Sequence, residues 1–201
     1  MLCAEDPHAV KLVDFGLAMP MPKKADGSFD AKVHFHDRVG SKSYRAPEIL
    51  TANGYEGPPV DVWALGITVF SLVSGFFPLD EARPKDWRFD KLQKDQNKGV
   101  GSCDSIYSMY KRVCPFSPEL KELLNAMLSI DVSKRATMQQ IADHPWFTTK
   151  TGKGGAMYDD DGDEVMYRSA GGDDEPAIPF ELPEMAMPIA RQRACMGDAL
   201  A

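Results

Sequence analysis

An aspartate at the end of a short apolar run is well suited to bind a metal ion. Residues 10–13 read Val-Lys-Leu-Val, and Asp14 is followed directly by Phe15 and Gly16. The run predicts a short strand and the glycine predicts a turn, so the Asp14 carboxylate is expected to project beyond the strand end. A carboxylate in that position is a suitable ligand for Mg²⁺. Taken alone, the same three residues are also typical of an ordinary turn.

A long irregular segment follows this aspartate. Residues 19–43 contain two prolines and two glycines among polar residues, without a sustained period. Segments of this length inside a compact domain are usually functional or disordered, so we expect a surface loop. Its two histidines, His34 and His36, share one face of an extended chain. Two histidines without a third ligand seldom form a metal site, and we interpret them as loop residues.

The elements expected to position these residues are helical. Residues 60–74 are apolar almost all round and predict a buried central helix, which Gly75 ends. Asp61 lies in its first turn, where a negative charge is favourable. Helices are also predicted over residues 85–98, after the N-cap Ser117, and after the Thr-Met-Gln-Gln capping box of residues 137–140. Beyond the predicted helix end at residue 98, the rest of the segment 97–114 has no interpretation from the sequence.

The net charge of −7 lies entirely in the last quarter of the sequence. Up to Lys150 there are 19 acidic and 19 basic residues, and after it 11 acidic and 4 basic. A neutral front part without a Lys/Arg block gives no basis for binding nucleic acid or an anionic membrane. The longest apolar stretch, residues 62–77, is short of the ~20 residues that a bilayer requires. The composition of residues 148–201 predicts a disordered acidic tail.

The four cysteines are scattered, without a CxxC pair or a histidine spacing that indicates zinc. We therefore expect free thiols in a reducing compartment, the cytoplasm. They are Cys3, Cys103, Cys114 and Cys195.

Five short motifs follow one another along the chain. They are Val10-Lys-Leu-Val-Asp14-Phe15-Gly16-Leu-Ala18, Gly40-Ser-Lys-Ser-Tyr44-Arg-Ala46-Pro47-Glu48, Asp61-Val-Trp63-Ala-Leu-Gly66, Lys134-Arg135 and His144-Pro-Trp146-Phe147. In order and spacing they resemble the second half of a eukaryotic protein serine/threonine kinase. One such tripeptide is a weak signal, whereas several at the family spacing are a strong one. The resemblance covers residues 1–147 as a partial kinase domain. The first and last motifs look most like the calmodulin-dependent and Snf1-related group.

The resemblance implies the fold of a kinase C-terminal lobe, which is mainly α with a short strand pair before Asp-Phe-Gly, and no N-terminal lobe. Asp14 then binds Mg²⁺ against the phosphates of ATP, with Phe15 and Gly16 beside it. Glu48 pairs with Arg135, and this structural pair fixes the segment that receives the protein substrate.

The resemblance also assigns the activation segment, which ends at Ala-Pro-Glu. Gly40 and Ser41, with Tyr44 further on, match the serine/threonine class, whereas tyrosine kinases carry a Pro/Lys-Trp pattern. Ser41 then hydrogen-bonds the catalytic aspartate, and Ser43 is the candidate modification site. An unmodified loop serine is the alternative interpretation for both.

Two aspartates acquire a role from the same resemblance. In the family, the aspartate matching Asp61 hydrogen-bonds the catalytic-loop backbone. Asp37 stands three residues before Gly40, where many relatives carry a phosphorylated threonine. A permanent carboxylate there can imitate a phosphate in part and bind a basic pocket.

The motifs that bind ATP and accept the proton are absent from the 201 residues. These are the Gly-rich loop, the strand lysine and the catalytic loop HRDxKxxN. The catalytic base and the lysine are therefore expected upstream of the chain, which would begin just after the catalytic asparagine. Because positioning supplies most of the catalysis in phosphoryl transfer, the isolated chain is predicted to be inactive.

Two functions from different classes follow. The first is an enzyme, a kinase acting on protein substrates, of which this chain is a fragment. The second is a kinase-like lobe that docks substrates or other kinases without catalysis. In either case a regulatory protein is a candidate partner of the acidic tail. An unrelated helical protein with chance motifs is disfavoured by the ordered spacing.

Overall fold

The computed structural model describes residues 11–148, 157–158 and 164–165, and the chain divides into two units, residues 1–149 and 150–201. The described part of the first unit is mainly helical, as the sequence predicts. Its helices and strands are, in chain order, β1 (His34–Phe35), β2 (Tyr55–Glu56), α1 (Gly57–Ser74), α2 (Trp87–Gln96), α3 (Ser102–Met109), α4 (Pro118–Met127), α5 (Met138–Ala142) and α6 (Pro145–Thr148).

Helix α1 forms the centre of this unit and begins three residues earlier than its apolar pattern indicates. Two prolines occupy its first turn, where backbone N–H groups have no intrahelical partner. Gly75 ends it with φ +77, the left-handed conformation that glycine adopts without strain. A Cβ on Gly66 would lie 3.0 Å from the Cβ of Met127, so this glycine permits the close approach of α4.

By length and composition α1 could also cross a membrane, a property that buried core helices share. Its residues Trp63, Ile67 and Phe70 are fully buried in the hydrophobic core of the described residues. We therefore assign α1 to the protein core.

The helix starts predicted at Ser117 and Thr137 are confirmed. The Ser117 hydroxyl accepts a hydrogen bond from the N–H of Leu120. Thr137 and Gln140 form a reciprocal capping box at the start of α5. Both caps satisfy backbone N–H groups that the helix itself leaves unpaired.

Helix α3 was not predicted from the sequence, and it packs between α2 and α4. The amide of Gln96 joins the three helices, because it donates to Ser102 Oγ (2.9 Å) and Leu128 O (2.8 Å) and accepts from the N–H of Ile130 (3.0 Å). Five aromatic rings with neighbouring centroids 5.3–6.1 Å apart join α3 to the end of α1. They are Phe70, Phe76, Tyr107, Tyr110 and Phe116.

The sequence predicts a strand over residues 10–13 and a strand pair before Asp14. This prediction is wrong for the described residues 11–13, which have no regular structure. Residue 10 lies outside the described part. A strand requires a neighbour that satisfies its backbone N–H and C=O groups. The ladder found in this unit lies instead after Asp14, where β1 pairs antiparallel with β2 and Phe35 faces Tyr55.

The second unit is described at four residues. Met157–Tyr158 (β3) and Glu164–Val165 (β4) form an antiparallel pair in which Met157 lies opposite Val165. The prediction of a disordered tail over residues 148–201 did not include this pair. The rest of that prediction lies outside the described residues, except for Thr148, which belongs to α6.

Candidate functional site

Asp14 lies in an exposed turn with a left-handed backbone, φ +65. This conformation is uncommon outside glycine, and aspartate is among the residues that tolerate it. The turn is closed by the Gly16 N–H, which donates to Asp14 Oδ1 at 3.2 Å, and by the Ala18 N–H, which donates to Phe15 O at 3.0 Å. The Phe15 side chain is 70% exposed. The turn therefore presents a carboxylate and an aromatic ring to the surface.

The loop that follows contains a small hairpin around an isolated bridge between Lys23 and Phe29. The Lys23 ammonium lies 5.7 Å from the Phe29 ring centroid. At the tip, Asp26 accepts hydrogen bonds from the hydroxyl (2.6 Å) and the N–H (2.9 Å) of Ser28. These bonds lower the pKa of the Asp26 carboxyl. Part of the predicted irregular loop is therefore locally ordered.

Tyr55 contacts the backbone of one sequence-predicted aspartate, Asp37, and its hydroxyl is influenced by the charge of a second, Asp61. Its hydroxyl donates to the backbone carbonyl of Asp37 at 2.7 Å. Burial raises the pKa of this hydroxyl, and the charges of Asp37 and Asp61 raise it further. Burial also raises the pKa of the Asp61 carboxyl. The contact made by Asp37 here is through its backbone, and its side chain is exposed.

The turn before β2 fits tightly against the histidine loop. His34 Nδ1 lies 3.4 Å from Asn53 O. A Cβ on Gly54 would lie 2.8 Å from Cε1 of His36, and Gly54 has φ +77. This position therefore requires glycine both for its backbone conformation and for the space taken by His36.

Arg45 orders the backbone around the hydroxyl residues. Its Nε donates to Gly40 O at 2.7 Å and to Val39 O at 3.2 Å. Its Nη1 lies 3.9 Å from the buried Glu81, which also pairs with Arg83 at 2.6 Å. The segment before Ala-Pro-Glu is thereby joined to the loop that follows α1.

Ser41 and Ser43 differ in their contacts. Ser41 is exposed at the start of a 3-10 turn, and its side chain makes no capping hydrogen bond. The Ser43 hydroxyl donates to Asp80 O at 3.2 Å. Tyr44 packs edge-on against Phe77, with centroids 5.4 Å apart. Ser41 therefore has the less engaged hydroxyl of the two.

Glu48 and Arg135, 87 positions apart in sequence, form a bidentate ion pair. Arg135 Nη1 lies 2.5 Å from Glu48 Oε1, and Nη2 lies 3.0 Å from Oε2. The Arg135 side chain is fully buried, donates to Pro59 O and Ser129 O at 2.9 Å each, and stacks over the Trp63 ring at 5.1 Å. Because each of the three guanidinium nitrogens donates a hydrogen bond, the pair is a rigid attachment of the segment to the helices.

The structure therefore pairs Glu48 with Arg135 and joins the Asp37 backbone to Tyr55, while Asp14 hydrogen-bonds within its own turn. Sequence reasoning gave no role to Tyr55, Trp63 or Arg45. Trp63 and Arg45 lie inside the quoted motifs, and this position was the only indication in the sequence that they matter. Tyr55 acts through a tertiary contact that no local pattern indicates.

The protein kinase domain model matches residues 1–147. The chain belongs to the protein kinase domain family. Two curated kinases of Dictyostelium discoideum show similarity to it. "Probable serine/threonine-protein kinase fhkC" is 30% identical over 178 residues, which is 88% of this chain and 27% of that protein. "Probable serine/threonine-protein kinase MARK-A" is 31% identical over 140 residues, which is 70% of this chain and 11% of that protein. The chain thus spans well under two thirds of either relative.

Groups of metal-ligating side chains were sought among the described residues of the kinase domain. Within the residues that the structure describes, no cluster of three or more His, Cys, Asp or Glu side chains is arranged to hold a metal ion. A bound cation would therefore take few ligands from these residues. An exposed carboxylate such as that of Asp14 fits Mg²⁺, which usually keeps several waters and takes phosphate oxygens as ligands.

Proposed function

We propose that this chain is the C-terminal lobe of a protein serine/threonine kinase, which transfers the γ-phosphate of ATP to serine or threonine of protein substrates. The observation that carries the proposal is the buried pair of Glu48 and Arg135. It attaches the end of an exposed segment to a helical body, and such a segment is suited to receiving a substrate. The family membership supports the same assignment.

Asp14 is the proposed Mg²⁺ ligand, and Phe15 and Gly16 complete the turn that presents it. When bound, Mg²⁺ and ATP supply the phosphoryl group and neutralise its charge during transfer. The hydrogen bond from the Gly16 N–H leaves the second carboxylate oxygen of Asp14 available to a cation. One carboxylate is sufficient for this role, because phosphates and water complete the coordination.

The hydroxyl side chains are assigned to substrate and regulation. Ser41, exposed and free of a capping bond, is the proposed partner of the catalytic aspartate. Ser43 is the proposed phosphorylation site, and Tyr44 shapes the surface beside it through its contact with Phe77. Membership of the calmodulin-dependent and Snf1-related group is part of the proposal.

Two aspartates have proposed accessory roles. Asp61 is the proposed partner of a catalytic-loop backbone, and its exposed position at the start of α1 is compatible with a contact outside the described residues. Asp37 imitates a phosphate, and its exposed side chain is compatible with binding a cationic group outside the described residues.

We further propose that the 201-residue polypeptide does not transfer phosphate alone. The sequence contains no Gly-rich loop, strand lysine or HRDxKxxN motif. Apolar side chains around Asp14 are exposed in the described residues, including Leu12 at 84% and Leu17 at 62%. Exposed apolar patches mark interaction surfaces, which is compatible with further kinase parts covering them.

The same missing motifs favour a second function, a kinase-like lobe that docks proteins without catalysis. On either proposal the kinase part is residues 1–147, and the acidic stretch 148–201 is a candidate site for a regulatory protein. The scattered cysteines, which include no CxxC pair, support a reducing, cytoplasmic location.

A chimera separates the two functions. The N-terminal part of an active serine/threonine kinase, up to and including its catalytic loop, is joined to residue 1 of this chain. It is assayed on matched peptides that differ only in a Ser, Thr or Tyr acceptor. The kinase proposal expects phosphorylation of the Ser and Thr peptides. Phosphorylation of the Tyr peptide alone would contradict the substrate class, and a folded but inactive chimera would favour the docking lobe.

A further inference from the structure

The turn that leads into β2 contains the dipeptide Asn53-Gly54, which the proposed kinase function does not use. Asn53 is an exposed residue. Within the described part of the chain, neither its side-chain amide nor the N–H of Gly54 makes a hydrogen bond. The turn therefore presents an amide carbon and a backbone nitrogen that are adjacent in sequence and both unengaged.

Glycine at position 54 keeps that nitrogen accessible. Gly54 has φ +77 and carries no side chain that would shield its N–H from the preceding residue. The contact that attaches this turn to β1 uses the Asn53 backbone, because the carbonyl oxygen of Asn53 lies 3.4 Å from His34 Nδ1. The side chain of Asn53 is left outside this contact.

A second turn of the same type, Asp26-Gly27, shows the opposite arrangement. The Gly27 N–H donates to Lys24 O at 3.0 Å, and the Asp26 carboxylate accepts two hydrogen bonds from Ser28. These bonds lower the pKa of the Asp26 carboxyl and keep it ionised. An ionised carboxylate is a poor electrophile, so this turn is protected at both reacting groups.

The other two asparagines of the sequence are also constrained. Asn97 ends α2, and the N–H of the following residue, Lys98, donates to Asp95 O at 3.0 Å. Asn125 lies inside α4, and its Oδ1 accepts a hydrogen bond from the Cys103 N–H at 2.9 Å. Asn53 is therefore the asparagine at which the amide and the following N–H are both unengaged.

We propose that Asn53 is a modification site at which the chain converts its own asparagine into aspartate and isoaspartate. Hydroxide removes the Gly54 amide proton, the nitrogen attacks Cγ of Asn53, and the new N–Cγ bond displaces Nδ2 as ammonia. Water then opens the cyclic succinimide. Cleavage of the N–Cγ bond gives aspartate, and cleavage of the bond from the nitrogen to the main-chain carbonyl carbon gives isoaspartate. No electrons are transferred, and water replaces the ammonia that leaves.

The isoaspartyl product changes the path of the backbone, because the chain then continues through the former side chain. The added carbon atom directly precedes Gly54, at which a Cβ would already lie 2.8 Å from His36 Cε1 and 3.0 Å from Phe35 O. The next residue, Tyr55, pairs with Phe35 and donates to Asp37 O at 2.7 Å. The modification is therefore expected to separate β1 from β2.

Ageing of the folded 201-residue chain in a mildly alkaline buffer tests the proposal. Glutamyl endopeptidase cleaves after Glu48 and Glu56 and releases residues 49–56, which contain Asn53. This peptide should gain about 1 Da and separate into two isomers, one of which accepts a methyl group from an isoaspartyl methyltransferase. Fresh protein digested in parallel corrects for conversion during the digest.

Other peptides of the same digest are internal controls. Those that contain Asn97 and Asn125 should keep their mass, and the peptide that contains Asp26 should accept a methyl group only after ageing in denaturant. The variant Asn53→Gln keeps a side-chain amide but should lose the mass gain, because its longer side chain would have to close a larger ring. Amide hydrogen exchange over residues 34–37 should be faster in aged than in fresh protein.

The parent protein decides the outcome, so a variant that folds poorly does not affect it. A peptide 49–56 that gains mass only in denaturant would overturn the proposal. Equal conversion at Asn97 or Asn125 in the folded chain, or methylation of the Asp26 peptide there, would also overturn it. Unchanged exchange over residues 34–37 in protein converted at Asn53 would overturn the predicted separation of β1 from β2.

Discussion

The Glu48 side chain is the sole carboxylate that pairs with the buried Arg135 guanidinium among the described residues. Removing one member of a buried pair leaves the other charge uncompensated, whereas an exposed pair contributes little. Glu48→Ala is therefore expected to lower the free energy of unfolding by about 3–5 kcal/mol.

The exposed pair of Lys94 and Asp90, at 2.6 Å on α2, supplies the matched control. Asp90→Ala should change the free energy of unfolding by less than about 1 kcal/mol. Urea denaturation of both variants compares them. If the two variants lost equal amounts of unfolding free energy, the buried Glu48 pair would stabilise the fold no more than the exposed pair does.

The Asp86 side chain predicts that the stability of the fold depends on pH. Its side chain is 6% exposed, and burial alone would raise its pKa. Hydrogen bonds from the N–H groups of Glu81, Arg88 and Asp80, with the charge of Arg88, instead lower the pKa below its ordinary value of 3.8. A lowered folded pKa contributes stability that is complete above pH 3.8 and is lost as the pH falls through the folded value.

Asp86→Ala should accordingly cost about 1–2 kcal/mol at pH 6, because α2 also loses its N-cap. The difference between variant and parent should shrink on acidification towards about pH 2. Thermal unfolding from pH 2 to 6 measures it. If the stability difference between variant and parent stayed constant from pH 2 to 6, the charge of Asp86 would not be its cause.

At the scale of elements, Gln96 joins α2, α3 and the end of α4 through three hydrogen bonds. Gln96→Ala leaves the backbone groups of Leu128 and Ile130 without these partners, so it should cost about 1–3 kcal/mol. Amide hydrogen exchange should also accelerate over α3. Gln93→Ala, one turn earlier on the same helix, should change the unfolding free energy by less than about 0.5 kcal/mol. Equal changes of unfolding free energy in the two variants would contradict the prediction that Gln96 joins the helices.

The helices that sequence reasoning predicted well have strong local signals. Helix α4 has a proline, a hydroxyl cap and a regular apolar rhythm, and α5 has a capping box. Helix α3 spans only eight residues, and the left-handed residue just beyond its end is Lys111 instead of the usual glycine. The sequence therefore gave no clear signal for either the helix or its end. The strand expected before Asp14 was wrong because an apolar run states nothing about a pairing partner.

The candidate site also combines features that could be predicted from the sequence with features that could not. The pairing of Glu48 with Arg135 was named from the family resemblance, since no rule of local spacing connects residues 87 positions apart. The hydrogen bond from Tyr55 to the Asp37 backbone depends on the pairing of β1 with β2 and was not predictable. The turn at Asp14 was expected from Gly16, whereas the left-handed conformation of the aspartate itself was not.

At the scale of the whole molecule, the 201-residue polypeptide is expected to give no phosphate transfer above background. It lacks the groups that position ATP and accept the proton, and positioning supplies most of this catalysis. Incubation with labelled ATP, Mg²⁺ and a serine peptide measures this. Incorporation of labelled phosphate that disappears in the Asp14→Asn variant would contradict the prediction. The Asp14 carboxylate would then be sufficient for phosphate transfer without the missing motifs.

The proposed role of Asp14 as a metal ligand is tested most directly in the chimera that supplies a catalytic loop. Asp14→Asn keeps the size of the side chain and its acceptor for the Gly16 N–H but removes the charge. Asp26→Asn, at an exposed hairpin tip of the same segment, is the matched control. The account predicts that Asp14→Asn lowers the rate of serine-peptide phosphorylation by at least about a hundredfold, while Asp26→Asn stays near the parent rate. Equal rates for the parent and both variants would contradict it.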